Sequence, residues 1–276
     1  MALFERMIED RRWLYRPWIP FLKAVEGGVF ARHGVEPPVL DLACGDGTFA
    51  AAVYGAKLDA GLDLDLPSLK RAAGKYSSLT HADAASLPFA DNSFQTVISA
   101  CALEHIEEVR KVLAEVRRVL RPGGKFIFSV PSTHYGELLL RTRLLRALGM
   151  NVRADEYVRR KNAKSSHIHI YPPEKWEELL REAGFTNLSC EYALSPRVML
   201  VWSFMTSFIF KLFFLPFRSV REVGIGPVDS LLRAILKKIL GGLAAREGKK
   251  DLSSGGYLIL VTRNEQAQTH RIRHYA

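Results

Sequence analysis

"VLDLACGDGTFA", residues 39–50, decides the fold. A short apolar run leads into a turn holding Gly45 and Gly47, and a helix-forming stretch follows to about Tyr54. Glycines placed after a strand let the backbone bend sharply and let a ligand approach the main chain closely. Gly45-x-Gly47-x-x-Ala50 also fits the dinucleotide fingerprint. On its own the turn therefore leaves three readings open: a nicotinamide site, another nucleotide-like site, or a tight turn with no ligand.

Working outward, strands alternate with helices. "KLDAGLDL" (57–64), "SLTHA" (78–82), "FQTVISA" (94–100) and "KFIFSVP" (125–131) read as strands. A helix is predicted over 66–74. Another runs over 107–120, with Val109, Val112, Leu113, Val116 and Leu120 at helical spacing, and "RPGG" (121–124) stops it. "YPPEKWEELLREAGF" (171–185) has prolines at its start and Gly184 past its end, as a helix should. Strands at about 186–192 and at 255–264 complete the pattern. Upstream, residues 1–35 read as two short helical segments broken near Pro17 and Pro20. Such alternation implies an α/β, doubly wound, mostly parallel sheet covered on both faces.

Two further acids narrow the readings of the turn. Asp63 closes the second strand and Asp83 the third, so with Asp41 they share the carboxyl edge of the sheet. A carboxylate at the second strand can accept from both ribose hydroxyls, and one at the third can accept from an adenine amine. A nicotinamide dehydrogenase needs neither Asp83 nor Asp41 in its glycine turn, and no hydride-transfer set is evident.

"VLDLACGDGTFA", "GLDLD", "ADAASLPFADNSFQTVIS", "ALEHI" and "LRPGGKFIFSVP" resemble, in order, the motifs of class I S-adenosylmethionine-dependent methyltransferases. The flavour is that of the quinone and sterol methylating branch. The likeness covers 37–131 and resumes at 167–185. It implies a seven-stranded sheet with an antiparallel last strand and S-adenosylmethionine as cofactor. The turn from Asp41 to Gly47 would hold the methionine part, with Ala43 where many members have glycine. Asp63 would take the ribose, Leu64 would pack on adenine, Asp83 and Ala84 would read the adenine edge, and the backbone at Ala100 would hold the methionine ammonium. The core is expected over 36–192 and 255–264, with a helical cap at 1–35, insertions at 132–170 and 193–254, and a tail at 265–276.

Transfer from a sulfonium needs alignment and exclusion of water, and a general base only for a protonated oxygen or carbon. Glu104, His105, His167 and His169 are the candidates for that base. Glu104 and His105 also read as caps of the following helix. The His167-x-His169 alternation puts both rings on one face, but no third ligand stands nearby in sequence, so no metal is expected.

The net charge of +10 is uneven: residues 36–130 hold 10 basic against 12 acidic side chains, and the excess lies at 137–164 and 211–250. Residues 198–217 carry one charge, Lys211, in an otherwise apolar or neutral run. A single span there would put the sixth and seventh strands on opposite sides of a bilayer, which one sheet forbids. The run therefore reads as a buried lid or a membrane-surface segment. After it, Leu232, Ile235, Leu236, Ile239 and Leu243 form an apolar stripe beside Arg233, Lys237 and Lys238. That is either an anionic-lipid contact or a core-packing helix. Both insertions leave from the carboxyl edge and should roof the acceptor site. An apolar, basic roof points to an amphiphilic acceptor: a lipid, a quinone-like molecule or a lipid-linked group. A soluble acceptor beneath a lid, and a silent cofactor-binding subunit, stay open. The basic stretches lack the aromatic-interleaved module that nucleic acid would call for. Three cysteines without pair spacing, read as small buried thiols, and an amino terminus without a secretory pattern, place the expected site of action in the cytoplasm, at or near a membrane surface. Oligomeric state is not legible.

Overall fold

The computed structural model describes residues 3–55, 57–207, 226–247 and 253–264. Half of the apolar run at 198–217, from 208 on, and the tail at 265–276 lie outside the described residues. Seven strands form one sheet in the order β3-β2-β1-β4-β5-β7-β6. They are β1 (Val39–Leu42), β2 (Leu58–Asp63), β3 (Tyr76–His81), β4 (Phe94–Ala100), β5 (Leu120–Pro131), β6 (Thr186–Ala193) and β7 (Tyr257–Arg263). β7 runs antiparallel to both β5 and β6, and the remaining pairings are parallel. Pairing grows outward from β1 to β3, then the chain crosses to β4 on the other side of β1. That reversal makes a switch point, and the carboxyl ends of β1 and β4 open a crevice there.

Continuous apolar runs form these strands because both faces are covered. Along β4, β5 and β7, Ile98, Ile127 and Ile259 face one core. Their neighbours Val97, Phe126, Phe128, Leu258 and Leu260 face the other. The first core is closed by α1 (Leu3–Glu9), α3 (Trp18–His33), α4 (Thr48–Tyr54) and α5 (Leu66–Arg71). The second is closed by α6 (Val109–Val119) and α9 (Pro173–Glu182). In α6, Val112, Leu113, Val116 and Val119 are all fully buried.

Some elements differ from their sequence reading. The cap has three helices, since α2 (Arg11–Leu14) stands between α1 and α3. Pro17 breaks the chain as expected, but Pro20 sits in the first turn of α3, where a missing N–H costs nothing. "RPGG" ends the helix at Val119, yet it already belongs to β5, which begins at Leu120. β3 ends at His81, so Asp83 lies in the turn beyond it.

Both insertions leave one edge beside the start of β7. Ser132 N–H donates to the Gly256 carbonyl (3.0 Å) and Gly256 N–H to the Leu194 carbonyl (2.9 Å). The first insertion is the hairpin of α7 (Leu140–Ala147) and α8 (Asn151–Lys164), and the second begins with α10 (Pro196–Met205). The segment carrying the expected apolar stripe is α11 (Gly226–Leu236), a π turn at Lys237–Gly241, and α12 (Gly242–Glu247). Leu236 of the expected stripe is buried with Leu240 and Ala244, and Leu232 and Leu243 pack partly buried against the same core. Ile235 (45% exposed) and Ile239 (63%) instead join Leu231 (64%) on the outer face. Arg233 and Lys237 bind Glu9 of α1, leaving Lys238 as the exposed cation of the expected three. Of the cysteines, Cys44 is buried but Cys190 is exposed on the outer strand β6.

Candidate functional site

The glycine turn lies at the switch point. Asp41, Ala43, Cys44, Gly45 and Asp46 from the end of β1, with Ala100 from the end of β4, line a cavity of about 210 Å³. Gly45 and Gly47 both have left-handed φ, +55° and +69°. A Cβ on Gly45 would meet nothing within 4 Å, because it would project into open space. One on Gly47 would come within 2.7 Å of the Tyr76 ring. Ala43 is also left-handed (φ 56°), which explains why glycine suits that position better.

The two glycines thus separate binding from stability. Gly45→Ala is expected to cost about 1–2 kcal/mol of backbone strain and to block the cavity. Gly47→Ala is expected to add about 1–3 kcal/mol of overpacking to the same strain. Thermal unfolding and ligand calorimetry on both variants check this. Unchanged ligand affinity in a folded Gly45→Ala variant would count against the cavity as a ligand site.

Asp41 is buried and accepts a hydrogen bond from the Tyr76 hydroxyl (2.5 Å). Burial pushes its carboxyl up to about 7, and nearby Asp63 adds to this, while Tyr76 and Lys23 oppose it. Asp63 stands at the end of β2 as expected. Its Oδ2 accepts from Gly45 N–H (2.6 Å) and its Oδ1 from Asp65 N–H (2.8 Å). One carboxylate thereby fixes the glycine turn and still keeps lone pairs for hydroxyl donors. Leu64 beside it is 66% exposed. Asp83 Oδ1 accepts from Ala85 N–H (2.9 Å), and Ala84 is buried. Asp63, Leu64, Asp83 and Ala84 continue along the same edge from the cavity but do not line it. Three acids at one edge suit a cationic, hydroxyl-bearing ligand.

A second cavity, about 1210 Å³, lies under the roof made by α7, α8 and α10 and against α3. Its walls include Trp18, Leu139, Leu145 and Trp202. Lys23, Arg141, Arg153, Arg160, Lys161 and Lys164 also line it, against one acid, Glu156. Ile19 and Lys23 line both cavities.

Sequence reasoning missed Lys23 and Glu26, one turn apart on α3. Glu26 is fully buried. The Lys23 ammonium stands 3.0 Å from Glu26 Oε2, an ion pair without hydrogen-bond alignment. Glu26 Oε1 accepts from the Ser129 hydroxyl and from Cys101 Sγ. Two charges inside the apolar run "WIPFLKAVEGGVF" were the signal that could have found them.

The histidine candidates part company. His169 is buried, with Nδ1 on the Tyr171 hydroxyl and Nε2 on the Ile106 carbonyl, each at 2.9 Å. Both ring nitrogens are engaged within the fold, so His169 does not face an acceptor, which corrects the expectation. His167 does not share a face with it. His167 instead lies tilted beside His105, with ring centroids 5.4 Å apart, and meets Tyr135 at 5.3 Å. Burial, with His105 and Lys161 adding, drives the His167 imidazolium down to about 4. Glu104 follows β4 and is buried rather than a cap, and burial pushes its carboxyl up to about 8.

Residues 40–128 match the model of a methyltransferase domain family. A demethylmenaquinone methyltransferase of Renibacterium salmoninarum is 40% identical over 37% of this chain and 48% of its own length. One from Symbiobacterium thermophilum is 31% identical over 53% of this chain and 67% of its own length. The first of these two matches thus spans about half of the relative and the second about two thirds. Among solved structures, a SAM-dependent methyltransferase of Thermotoga maritima covers 95% of this chain and 98% of its own, with a TM-score of 0.55 and 17% identity. At that identity the likeness speaks for the fold.

Proposed function

The chain belongs to the class I S-adenosylmethionine-dependent methyltransferases, and from that premise we propose that it methylates a lipid, quinone-like or lipid-linked acceptor at a membrane surface. One observation carries the reading: the small acid-lined cavity and the large apolar, basic cavity share Ile19 and Lys23. A donor in the first and an acceptor in the second would meet there.

The residues present fit S-adenosylmethionine. The space over Gly45 admits a ligand against the main chain, and the buried Asp41 offers negative charge beside it. The turn from Asp41 to Gly47, with Ala43 in it, would carry the methionine part, and the Ala100 backbone would hold its ammonium. Asp63 would accept from the ribose hydroxyls, Leu64 would cover the base, and Asp83 with Ala84 would read its edge. When bound, the cofactor supplies a methyl group on an activated sulfonium. The chain then has to align the acceptor and keep water out.

The relatives' names make a quinone-like acceptor the leading member of this class. Exposed apolar side chains support approach to a bilayer. Leu144 and Phe204 line the large cavity while still exposed, and Leu148 (72% exposed) and Val152 (78%) continue outward from them along the α7–α8 hairpin. No described helix is long and apolar enough to cross a membrane. A surface contact of this kind buries apolar area while basic groups meet anionic headgroups.

The test is sedimentation with vesicles containing anionic lipid, followed by transfer of labelled methyl to a quinone-containing lipid extract. The parent should pellet with the vesicles, and Leu148→Asp/Val152→Asp should shift at least about tenfold toward the supernatant, given the cost of a charge at an apolar interface. A parent that stays in the supernatant overturns the membrane part. Labelling of water-soluble extract alone overturns the acceptor class.

A further inference from the structure

Glu104, His105 and His167 each offer a metal-ligand atom, and these atoms lie within 4.8 Å of one another. Glu104 and His105 belong to the 3-10 turn after β4, Leu103–His105. His167 comes from the far end of the first insertion, just past α8. None of the three lines either cavity.

The cluster is more than a chance meeting of polar groups. The Glu104 side chain is 1% exposed, and its Oε2 is buried with no hydrogen-bond partner. His167 Nδ1 is likewise buried and unpartnered. Buried polar atoms are almost always satisfied, and an orphan carboxylate oxygen is among the costlier exceptions. Two buried orphans within one cluster of ligand-bearing side chains point to a shared partner. His105 is set up for the same partner. Its Nδ1 bonds the Ser166 carbonyl at 2.9 Å and must therefore carry the proton, leaving the Nε2 lone pair free. That Nε2 stands 3.7 Å from Glu104 Oε1. A carbonyl that fixes the tautomer from the far side of the ring is the usual companion of a ligating histidine. The backbone holds the pieces in place, since the Glu104 carbonyl accepts from Ile168 N–H (2.8 Å) and His169 N–H (3.2 Å).

We propose that Glu104, His105 and His167 bind a divalent first-row transition metal ion of the zinc type. Two imidazoles and one carboxylate suit such an ion, whereas magnesium and calcium prefer all-oxygen sets. Three protein ligands leave one tetrahedral position open, on the side where His105 is 39% exposed. The ion clamps the end of the basic insertion to the carboxyl end of β4, fixing the roof of the large cavity.

The test uses the tag-free full chain, stripped with a chelator and titrated with Co²⁺. The expected result is tetrahedral d–d absorption that saturates at one equivalent and is displaced by one equivalent of Zn²⁺. His105→Gln, a half-exposed position that should leave the fold intact, removes a ligand and should weaken Co²⁺ binding by at least about 100-fold, no less than the loss of a partner that merely orients one. Glu104→Gln should do the same, and circular dichroism of the metal-free proteins checks that both are folded. Absence of the absorption in the parent, or its persistence in a folded His105→Gln variant, overturns the proposal. Neither result depends on the identity of the methyl acceptor.

Discussion

Asp41→Asn is expected to match the parent in stability at pH 4 and to exceed it by about 4 kcal/mol at pH 8. The carboxyl is pushed from its ordinary 3.8 up to about 7 by burial beneath the glycine turn. Between those values the native chain holds a proton that the unfolded chain has released. Stability from this group therefore falls as pH rises from about 4, and the loss is complete above about 7. Glu104, raised from 4.5 to about 8 by burial, falls in the same sense over a slightly higher window. Carboxylates held low, such as Glu115 beside Arg118, act in the opposite sense at acid pH. The readout is accordingly the difference between variant and parent, not either curve alone. Asparagine mimics the protonated acid and can still accept from Tyr76, so the difference isolates the ionisation. Urea unfolding at pH 4, 6 and 8 measures it, and a gap that does not widen with pH would rule out the buried acid as its source. The same linkage bears on the proposed site. A cationic donor favours the Asp41 carboxylate, so its affinity should rise with pH up to about 7 and then level off.

Most of the sheet was legible because its strands are buried on both faces and so read as apolar runs. "FQTVISA" is β4 residue for residue, and the glycine turn announced itself through Gly45 and Gly47. The place of Asp63 was legible too, since a strand end is a position that spacing can give, whereas Asp83 falls two residues past the end of β3. What spacing cannot give is contact between distant segments. Glu104 and His105 meet His167 because the first insertion folds back on itself, and no local pattern encodes that return. His167-x-His169 read as a strand-like pair, yet the segment is irregular and its two rings turn to different partners. The stripe held only in part: Leu232, Leu236 and Leu243 pack on the core while Ile235 and Ile239 turn outward, and the reading of an unbroken α-helix made no room for the π turn at Lys237–Gly241.

Lys23 and Glu26 went unread because a charged pair on a buried helix looks, in sequence, like a solvated face. The burial of Glu26 makes Lys23→Met the substitution with the largest expected loss of stability, about 3–5 kcal/mol. Removing the ammonium leaves the Glu26 carboxylate without its counter-charge in a fully buried place, 3.0 Å from where the nitrogen stood. Burial alone would lower the lysine pKa, but the Glu26 carboxylate beside it raises it, so the ammonium stays charged. Ser129 and Cys101 still donate to Glu26 Oε1 in the variant, but two neutral donors do not replace a charge. If this is the mechanism, the double variant Lys23→Met/Glu26→Gln should recover most of the loss, because no unpaired charge remains. If the lysine acts instead through the packing of its stem, the two changes should simply add. A double-mutant cycle by urea unfolding at pH 7 separates the two, and additivity within about 0.5 kcal/mol would sink the charge-pair account. Because Lys23 walls both cavities, a recovered double variant also yields a folded protein whose junction carries no cation.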